Sequence, residues 1–299
     1  MTGVILMYHR VAEPIEDAYS LAVSPQRFTE HVEHLARRGG VVPLAEIAQP
    51  ADALKIAITF DDGYADNATR AAPELAAASL PVTYFVTTGR LGGQHFWWDR
   101  LSTGLLGAQP RPQGIDVTVG DRGLWLALND LQAARTSLRF LHRRLRPLPP
   151  DEVAATVDDL LHRLGATEPP ADDCTMTVEQ LRVMGQLPMV EIGAHTRTHV
   201  QLGGQSKELQ RSEVIGSITD LSGVLGRPIT SFAYPFGSPE AVGDVAPRLA
   251  REAGCVLACS TVHGAVRRSS DTYQLPRLNV RDWNAAELAA SIDQIAWAR

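Results

Sequence analysis

Residues 58–67 read ITFDDGYADN, an apolar run that ends in two adjacent aspartates, Asp61 and Asp62. The β-branched and aromatic residues favour a buried strand, and the glycine after the aspartates favours a turn. Two neighbouring carboxylates repel each other, and either could have been an asparagine at little cost to the fold. Taken alone, the pair is compatible with a metal site, a phosphoryl-transfer site or a structural turn.

Short apolar runs of this kind alternate with helical patterns along the 299 residues, which predicts repeated β-α units and a parallel sheet. The helical pattern of Pro25–Arg38 ends before two glycines, and Thr177–Gln180 and Asn284–Glu287 have the sequence of capping boxes. Several strands end in polar residues, so we expect a site at the carboxyl edge of the sheet. The expected strands are GVILMYH, KIAITF, PVTYFVT, MVEIGAH, SFAYPF, GCVLACS and the region around Arg277.

The region from residue 95 to residue 173 interrupts this alternation with proline clusters and mostly helical patterns. We expect a mainly helical insertion that covers one end of a barrel or sheet, within a single domain of residues 1–299. Trp97 and Trp98 lie at its start. On a strand their rings would point in opposite directions, so at most one, which we assign as Trp98, would line a sugar-binding cleft; packing is the favoured role for both. The basic run Arg135–Arg146 could meet the phosphate of an activated or lipid-linked sugar, although a solvated helix face is favoured.

The composition is that of a globular protein, with 44% hydrophobic and 21% charged residues. The net charge of -6 argues against nucleic acid as a partner, and no stretch reaches the roughly 18 apolar residues of a transmembrane segment. The N-terminus, MTGVILMYHRV, has no basic residue before its apolar run, which favours a first strand over an export signal. The three cysteines suggest no disulfide framework. We therefore expect a cytoplasmic protein.

The second motif is EIGAHTRTH, residues 191–199. His195 and His199 are four residues apart, so a helical turn would place both imidazoles on one face, ready for one metal ion. A chance pair is a comparable explanation in a chain with nine histidines. That explanation weakens because the pair, like the two aspartates, follows an apolar run. Two histidines and one carboxylate are enough to bind a divalent metal with positions open for water and substrate.

Three motifs taken together resemble a known family. TFDDG, HTRTH and YPFG (Tyr234–Gly237) are similar, in order and context, to the motifs of the polysaccharide deacetylases, also called the NodB-homology group or carbohydrate esterase family 4. LMYHRV and LPRLNV resemble the branch that includes poly-N-acetylglucosamine deacetylases. The resemblance runs from about Leu6 to Val280. It implies an α/β fold, a distorted (β/α) barrel, and a hydrolase that removes an N-acyl group, above all acetyl, from an amino sugar, a sugar conjugate or a glycan.

The resemblance also implies a cofactor and its ligands. Asp62, His195 and His199 match the family's metal ligands, with zinc as the expected ion and cobalt, nickel or iron as alternatives. A divalent cation would lower the pKa of a bound water and polarise the acyl oxygen. It would also answer the question of the two neighbouring anions, because coordination neutralises one of them.

The remaining catalytic roles follow the same resemblance. Asp61 matches the base that takes a proton from the metal-bound water. A backbone N–H near Tyr234, together with the metal, would stabilise the oxyanion, and Pro235 and Phe236 belong to the same segment.

Two departures from the family pattern affect the catalytic assignment. In much of the family an arginine begins the third motif and orients the catalytic aspartate, and here that position is Ala233. Arg277, in LPRLNV, is the expected replacement partner for Asp61, with a structural salt bridge as the alternative. The usual leucine-x-histidine motif of the general acid is missing. His9, in the N-terminal YH motif, is therefore assigned that role, with His263 as the rival.

Other functions are compatible with parts of this pattern. Phosphoryl transfer of the haloacid dehalogenase type uses aspartates two residues apart, and here Gly63 takes the second position. A carbohydrate-binding protein on the same fold would be expected to lack a metal or catalytic residue, and all four are present. The same residue set would also attack a formyl group or a cyclic amide. Asp66 gains no support as a site residue, so we expect it at the surface or at a helix cap.

Overall fold

A computed structural model of the chain describes residues 3–14 and 16–297, so both ends of the predicted 1–299 domain lie outside the described residues. In chain order the strands are β1 (Gly3–Tyr8), β2 (Arg10–Val11), β3 (Ala22–Val23), β4 (Lys55–Phe60), β5 (Val82–Val86), β6 (Gly114–Val119), β7 (Arg122–Ala127), β8 (Val190–Ala194), β9 (Ser231–Ala233), β10 (Leu257–His263) and β11 (Leu275–Asn279). The helices are α1 (Pro25–Arg38), α2 (Ala72–Ala77), α3 (Trp97–Gly107), α4 (Leu131–Leu145), α5 (Pro150–Leu164), α6 (Val178–Met184), α7 (Lys207–Leu225), α8 (Pro239–Val242), α9 (Ala246–Glu252) and α10 (Ala285–Trp297).

Seven of the strands form a closed barrel, in the order β1, β4, β5, β8, β9, β10, β11 and back to β1. Every neighbouring pair is parallel, so the chain must cross over between strands, and helices supply most of the crossovers. β8 and β9 share a single register pair, Ala194 with Phe232, which makes the barrel irregular at that point. The predicted distorted (β/α) barrel is confirmed, and the region around Arg277 is its last strand, β11.

Side chains of the barrel strands alternate between two cores, as the period of two in a strand requires. Outward residues such as Leu6 and Phe60 pack in the large core under the helices. The neighbouring inward residues, among them Ala57, Phe85 and Ala233, fill the barrel. Small residues at several inward positions leave room in the barrel for one large polar side chain.

The predicted insertion has a core of its own, built from α3, α4, α5 and the antiparallel hairpin β6–β7. The expectation of a mainly helical region holds for the three helices, but the hairpin was not predicted. The alternating sequence pattern of the hairpin and its turn at Gly120 (φ 61°) are short, and they lie between longer helical patterns that dominate this part of the sequence. The core of the insertion also includes Tyr64, which follows the two aspartates at the end of β4. The insertion therefore packs against the carboxyl end of the barrel.

The placement of Trp97 and Trp98 on a strand was wrong. Both residues lie in the first turn of α3, where neighbouring side chains are about 100° apart rather than opposite. Both rings are therefore buried in the core of the insertion, with their centroids 5.5 Å apart.

Several predicted helix boundaries are confirmed. α1 spans Pro25–Arg38 as expected. At α6 the Thr177 hydroxyl accepts from the Gln180 N–H at 3.1 Å, and the Gln180 side chain accepts from the Thr177 N–H at 2.8 Å. Asn284 and Glu287 make the same reciprocal pair before α10, at 3.0 and 2.8 Å. These bonds satisfy N–H groups that the first turn of a helix leaves without a partner.

Asp66 is buried, which corrects its prediction as a surface or capping residue. Its carboxylate accepts a hydrogen bond from Arg10 Nε at 2.9 Å and another from the Val11 N–H at 3.1 Å. The Asn67 side chain, 3.0 Å from the same carboxylate, donates to the carbonyl oxygen of His9 at 2.9 Å. The segment after the two aspartates therefore holds the backbone from His9 to Val11.

Within residues 3–14 and 16–297, no helix is both long enough and apolar enough to cross a bilayer.

The buried Arg10–Asp66 pair leads to a stability prediction. Asp66→Ala leaves the Arg10 guanidinium with one remaining carboxylate, the partly exposed Asp173 at 2.7 Å, so the free energy of unfolding should fall by about 3 kcal/mol in urea titrations. Glu33→Ala is the control, because it breaks the exposed Arg37–Glu33 pair and should change stability by less than about 0.5 kcal/mol. Equal losses in the two variants would contradict the interpretation.

Candidate active site

The barrel strands bring polar residues that are far apart in the sequence to one cavity of about 130 Å³. β1 leads into His9, β4 into Asp61 and Asp62, and β8 into His195, with His199 four residues later. They meet because the carboxyl ends of the strands in a parallel barrel lie at the same rim. The rest of the lining consists of Tyr19, Leu21, Trp98, His142, Phe236 and Thr261.

Asp62, His195 and His199 present one carboxylate oxygen and two imidazole nitrogens within 4.8 Å of one another. Asp62 Oδ1 lies 3.1 Å from His199 Nε2 and 3.4 Å from His195 Nε2, yet this buried oxygen makes no hydrogen bond in the described part of the chain. A buried carboxylate oxygen without a donor is costly, and a cation between the three atoms would remove that cost. The donor set fits a divalent metal with open positions.

The hydrogen bond on the other side of His195 determines which nitrogen faces Asp62. His195 Nδ1 lies 2.7 Å from the carbonyl oxygen of Ala233. Because a carbonyl oxygen only accepts, Nδ1 must carry the proton, which leaves the lone pair of Nε2 facing Asp62. Hydrogen bonds of this kind orient metal-binding histidines and raise their basicity.

The expected helical turn from His195 to His199 is not present. The segment is a bend, and a hydrogen bond from the His199 N–H to Thr196 Oγ1, at 3.0 Å, closes it. Glu213, on α7, accepts from the N–H groups of Arg197 and Thr198, two of the three residues between them, at 2.8 and 2.9 Å. The bend still brings the imidazoles together, with ring centroids 4.9 Å apart. The spacing of four residues therefore predicted that the two imidazoles lie together, but it did not predict the conformation of the backbone between them.

Left-handed backbone conformations are concentrated around the cavity. Asp62, Thr196, His199 and Phe236 have φ angles of 77°, 63°, 60° and 61°. Such angles are unfavourable for residues other than glycine, and strain of this kind collects at functional sites. Asp62, His199 and Phe236 line the cavity and Thr196 is next to His195, so the strained backbone lies at the cavity wall and directly beside it.

Asp61 is held by Arg277, from the last barrel strand. The guanidinium donates to both carboxylate oxygens, at 2.7 and 2.6 Å, and also to the Ser260 carbonyl at 2.8 Å. Both side chains are almost completely buried. Burial by itself raises the pKa of Asp61, but the Arg277 charge and its two hydrogen bonds outweigh burial and lower it. Asp61 is therefore an oriented carboxylate that is not part of the three-residue cluster.

Position 233, where much of the family has an arginine, is an alanine here, and Arg277 instead reaches Asp61 through the barrel interior. Ala233 faces inward, in one cluster with Phe85 and Cys259, and the Arg277 guanidinium lies 5.7 Å from the centre of the Phe85 ring. A side chain on β11 can therefore reach Asp61 from the interior that a small residue on β9 leaves open.

Of the two candidate general acids, His9 lines the cavity. Burial lowers the pKa of its imidazole, and the charges of Asp62 and Asp61 offset only part of that effect. His9 is therefore neutral at neutral pH. His263 is exposed at the end of β10 and does not line the cavity.

The YPFG segment contributes less than expected. The Tyr234 N–H donates to the Cys259 carbonyl at 3.1 Å, and its hydroxyl donates to the Tyr273 carbonyl at 2.9 Å, so Tyr234 has no donor left for a ligand. Pro235 has no N–H. Phe236 lines the cavity, and no backbone carbonyl in the described part of the chain accepts from its N–H. Within the described residues the N–H of Gly237 has no backbone acceptor either, so the segment offers the N–H groups of Phe236 and Gly237 but not that of Tyr234.

Trp98 lines the cavity from the insertion, with its ring 4.5 Å from that of His199. Its Nε1 donates to the Tyr64 hydroxyl at 2.9 Å, which fixes the ring in place. His142 and Tyr19 also line the cavity, with ring centroids 4.6 Å apart, and the sequence motifs did not reveal either of them. One signal was available for His142, since it follows Leu141 on the apolar face of α4.

Comparisons with known proteins agree with this geometry. A family model described as polysaccharide deacetylase matches residues 48–115 and 146–257, more than half of the chain. A search of curated proteins finds no match to the sequence.

Solved structures with a similar fold include the Streptococcus pyogenes deacetylase PplD in complex with acetate, at 17% identity, 98% coverage of both chains and a TM-score of 0.63. IcaB from Ammonifex degensii has 18% identity, 97% coverage of both chains and a TM-score of 0.61. The BpsB deacetylase domain from Bordetella bronchiseptica has 18% identity, with 93% of this chain and 96% of that chain covered and a TM-score of 0.56. At these identities the likeness establishes the fold, whereas the family model establishes membership: the chain belongs to the polysaccharide deacetylase family, whose members are hydrolytic deacetylases.

Proposed function

We propose that the chain is a metal-dependent hydrolase that removes an N-acyl group, above all acetyl, from an amino sugar or a sugar conjugate. One observation carries the proposal: a buried carboxylate, Asp61, lies beside a separate cluster of three metal-binding side chains in the same cavity. A non-catalytic sugar-binding protein has no need for either feature.

Asp62, His195 and His199 would hold the metal, for which zinc is the first choice and cobalt, nickel or iron are alternatives. A divalent cation at this place lowers the pKa of a water and polarises the acyl oxygen. The Ala233 carbonyl fixes the His195 tautomer that such binding needs.

Asp61 would take the proton from the attacking water. The two hydrogen bonds from Arg277 keep its carboxylate ionised and aimed, and each oxygen retains a second lone pair for the water. Arg277 thus acts through Asp61 as a positioning residue. The Phe236 N–H is the protein donor best placed to stabilise the oxyanion, because the neighbouring N–H at Tyr234 is already used.

His9 would deliver the proton to the leaving nitrogen. Its imidazole is neutral in the free site, so the proton that Asp61 takes from the water would have to pass to His9, which would then donate it to the leaving nitrogen as the carbon–nitrogen bond breaks. The products are a carboxylic acid and a free amine. The backbone of His9 is held for this task by Asn67.

The size of the cavity suggests which part of the substrate enters. A water needs about 10–15 Å³ of cavity space, so the cavity of about 130 Å³ is large enough for a short acyl group and the attacking water. The sugar ring would remain at the mouth, next to Trp98 and Phe236. Acetate is present in the similar PplD structure, which supports acetyl as the acyl group.

The base assignment is tested by Asp61→Asn. This variant should lose at least about 1,000-fold in kcat for release of acetate from N-acetylated sugars, while elemental analysis finds the same metal content as in the unmodified protein. His199→Ala is the counterpart, because removing a ligand should cost the metal itself. Near-normal turnover by Asp61→Asn would disprove the base role. Release of formate instead of acetate by the unmodified protein would identify the acyl group as formyl.

The positioning role of Arg277 is tested by Arg277→Lys. Lysine keeps the charge but cannot donate to both oxygens of Asp61 in parallel, so the carboxylate should lose its orientation. We expect kcat to fall by about 100-fold, the size of effect that a misplacement of about 1 Å can have, with less change in KM and no loss of metal. A variant with normal kcat would show that the ion pair serves stability alone.

The general acid is tested by comparing His9→Gln with His263→Gln. The first should lower kcat by at least about 100-fold for amide substrates and by less for an activated acetyl ester, whose leaving group needs no proton. His263→Gln is the matched control and should behave like the unmodified enzyme, because His263 is exposed outside the cavity. The opposite ranking would exchange the two assignments.

A further inference from the structure

A second, smaller cavity of about 20 Å³ lies next to the catalytic cavity. Both residues line both cavities, so the two are immediate neighbours. The second cavity is also lined by Arg90, Arg146 and Trp97, and neither aspartate nor glutamate lines it. Its charged lining is therefore entirely cationic.

Arg146, directly after α4, is a half-buried cation without a carboxylate partner. Its Nε is buried and makes no hydrogen bond in the described part of the chain, and its guanidinium lies 4.1 Å from the centre of the Phe236 ring. Burial lowers the pKa of Arg146, and no carboxylate offsets it. Arg146 is the residue of the basic run Arg135–Arg146 that lines this second cavity.

Arg90, in the 3-10 turn Thr88–Arg90 after β5, is also a partly buried cation without a carboxylate partner among the described residues. Its pKa is lowered by burial and by the nearby Arg100. The two carboxylates that act to raise the pKa of Arg90 are bound to other groups. Asp158 pairs with Arg100 at 2.7 Å, and Glu213 accepts from the loop between the metal-binding histidines. Where the pKa of another described arginine is clearly shifted it is raised, as at Arg10, Arg27, Arg100, Arg197, Arg211 and Arg277, each of which has a carboxylate partner.

His199 adds a third donor without an acceptor. Its Nε2 faces Asp62, and its Nδ1 is buried with no partner in the described residues. A histidine that binds a metal through one nitrogen usually donates from the other to a carboxylate, a carbonyl or a water. Within the described residues, Arg146 Nε and His199 Nδ1 thus lack an acceptor, and the carboxylates nearest to Arg90 are bound to other groups.

We propose that this second cavity binds an anionic group of the substrate, a carboxylate or a phosphate, next to the acylated sugar. The inference rests on the proposed deacetylase function and narrows its substrate class. Room for about one or two water-sized groups excludes a sugar ring but admits the oxygen atoms of such an anion. Those oxygens would accept from the Arg146 and Arg90 guanidinium groups and from His199 Nδ1, and charge-assisted bonds of this kind are the strong ones.

The position of the cavity also defines how the substrate would lie. Phe236 and His199 line both cavities, so an acyl group in one cavity and an anion in the other would be close enough to belong to one substrate. The sugar between them would be held at two points, which is how enzymes align a reacting bond. A neutral sugar would be held at one point only.

The experiment compares N-acetylglucosamine with three charged forms: its 1-phosphate, its 6-phosphate and its 3-O-lactyl ether, which carries a carboxylate. The metal-loaded enzyme should show a higher kcat/KM for at least one charged form than for the neutral sugar. In Arg90→Gln/Arg146→Gln that preference ratio should fall by about tenfold or more. Arg143→Gln, an exposed position on α4, removes a charge three residues from Arg146 and should leave the ratio unchanged.

Calorimetric binding of inorganic phosphate to the metal-loaded protein separates this inference from the proposed function. Phosphate should bind about tenfold more weakly to the double variant than to Arg143→Gln, and this holds even if no sugar is deacetylated. Equal phosphate affinity in the two proteins, or deacetylation without preference for a charged form, would overturn the anion site while leaving the deacetylase function in place.

Discussion

Two carboxylates buried side by side at the end of β4 need two separate positive partners, and the barrel is arranged to provide them. Arg277, on β11, neutralises Asp61 through two hydrogen bonds from the barrel interior. Asp62 instead faces His195 and His199 on the opposite side of the site, with an oxygen that lacks a donor. Because each aspartate has its own partner, one can remain a free base while the other binds a cation. This division of charge is the constraint that the remaining features of the site serve.

Much of this arrangement could be predicted from short motifs, because parallel strands place their carboxyl ends at one rim and polar residues mark those ends. That reasoning brought together the two aspartates with His195 and His199, whereas His9 was assigned from the resemblance to the family. It did not predict backbone detail: the loop from His195 to His199 is a bend stabilised by Glu213, a residue of α7 that no local pattern connects to it. Burial of Asp66 was missed for the same reason, since its partner Arg10 is 56 residues away.

The insertion explains most of what the motifs could not reveal. The segment between the two parts matched by the family model, residues 116–145, contains most of the hairpin and all of α4. It contributes His142 to the catalytic cavity and ends one residue before Arg146. In the proposed mechanism the barrel residues would carry out the reaction, and the insertion adds side chains of its own to the wall of the cavity. Differences in substrate between this chain and proteins of similar fold are best sought there.

The Arg277–Asp61 contact joins residues 216 positions apart in the sequence. Contacts of such separation form late, because closing so long a loop costs entropy that few early interactions repay. A chain still being synthesised therefore has Asp61 and the metal-binding residues well before it has Arg277. In the proposed mechanism, hydrolytic activity would begin only after β11 has joined the barrel, so the ion pair links the onset of catalysis to the closure of the barrel.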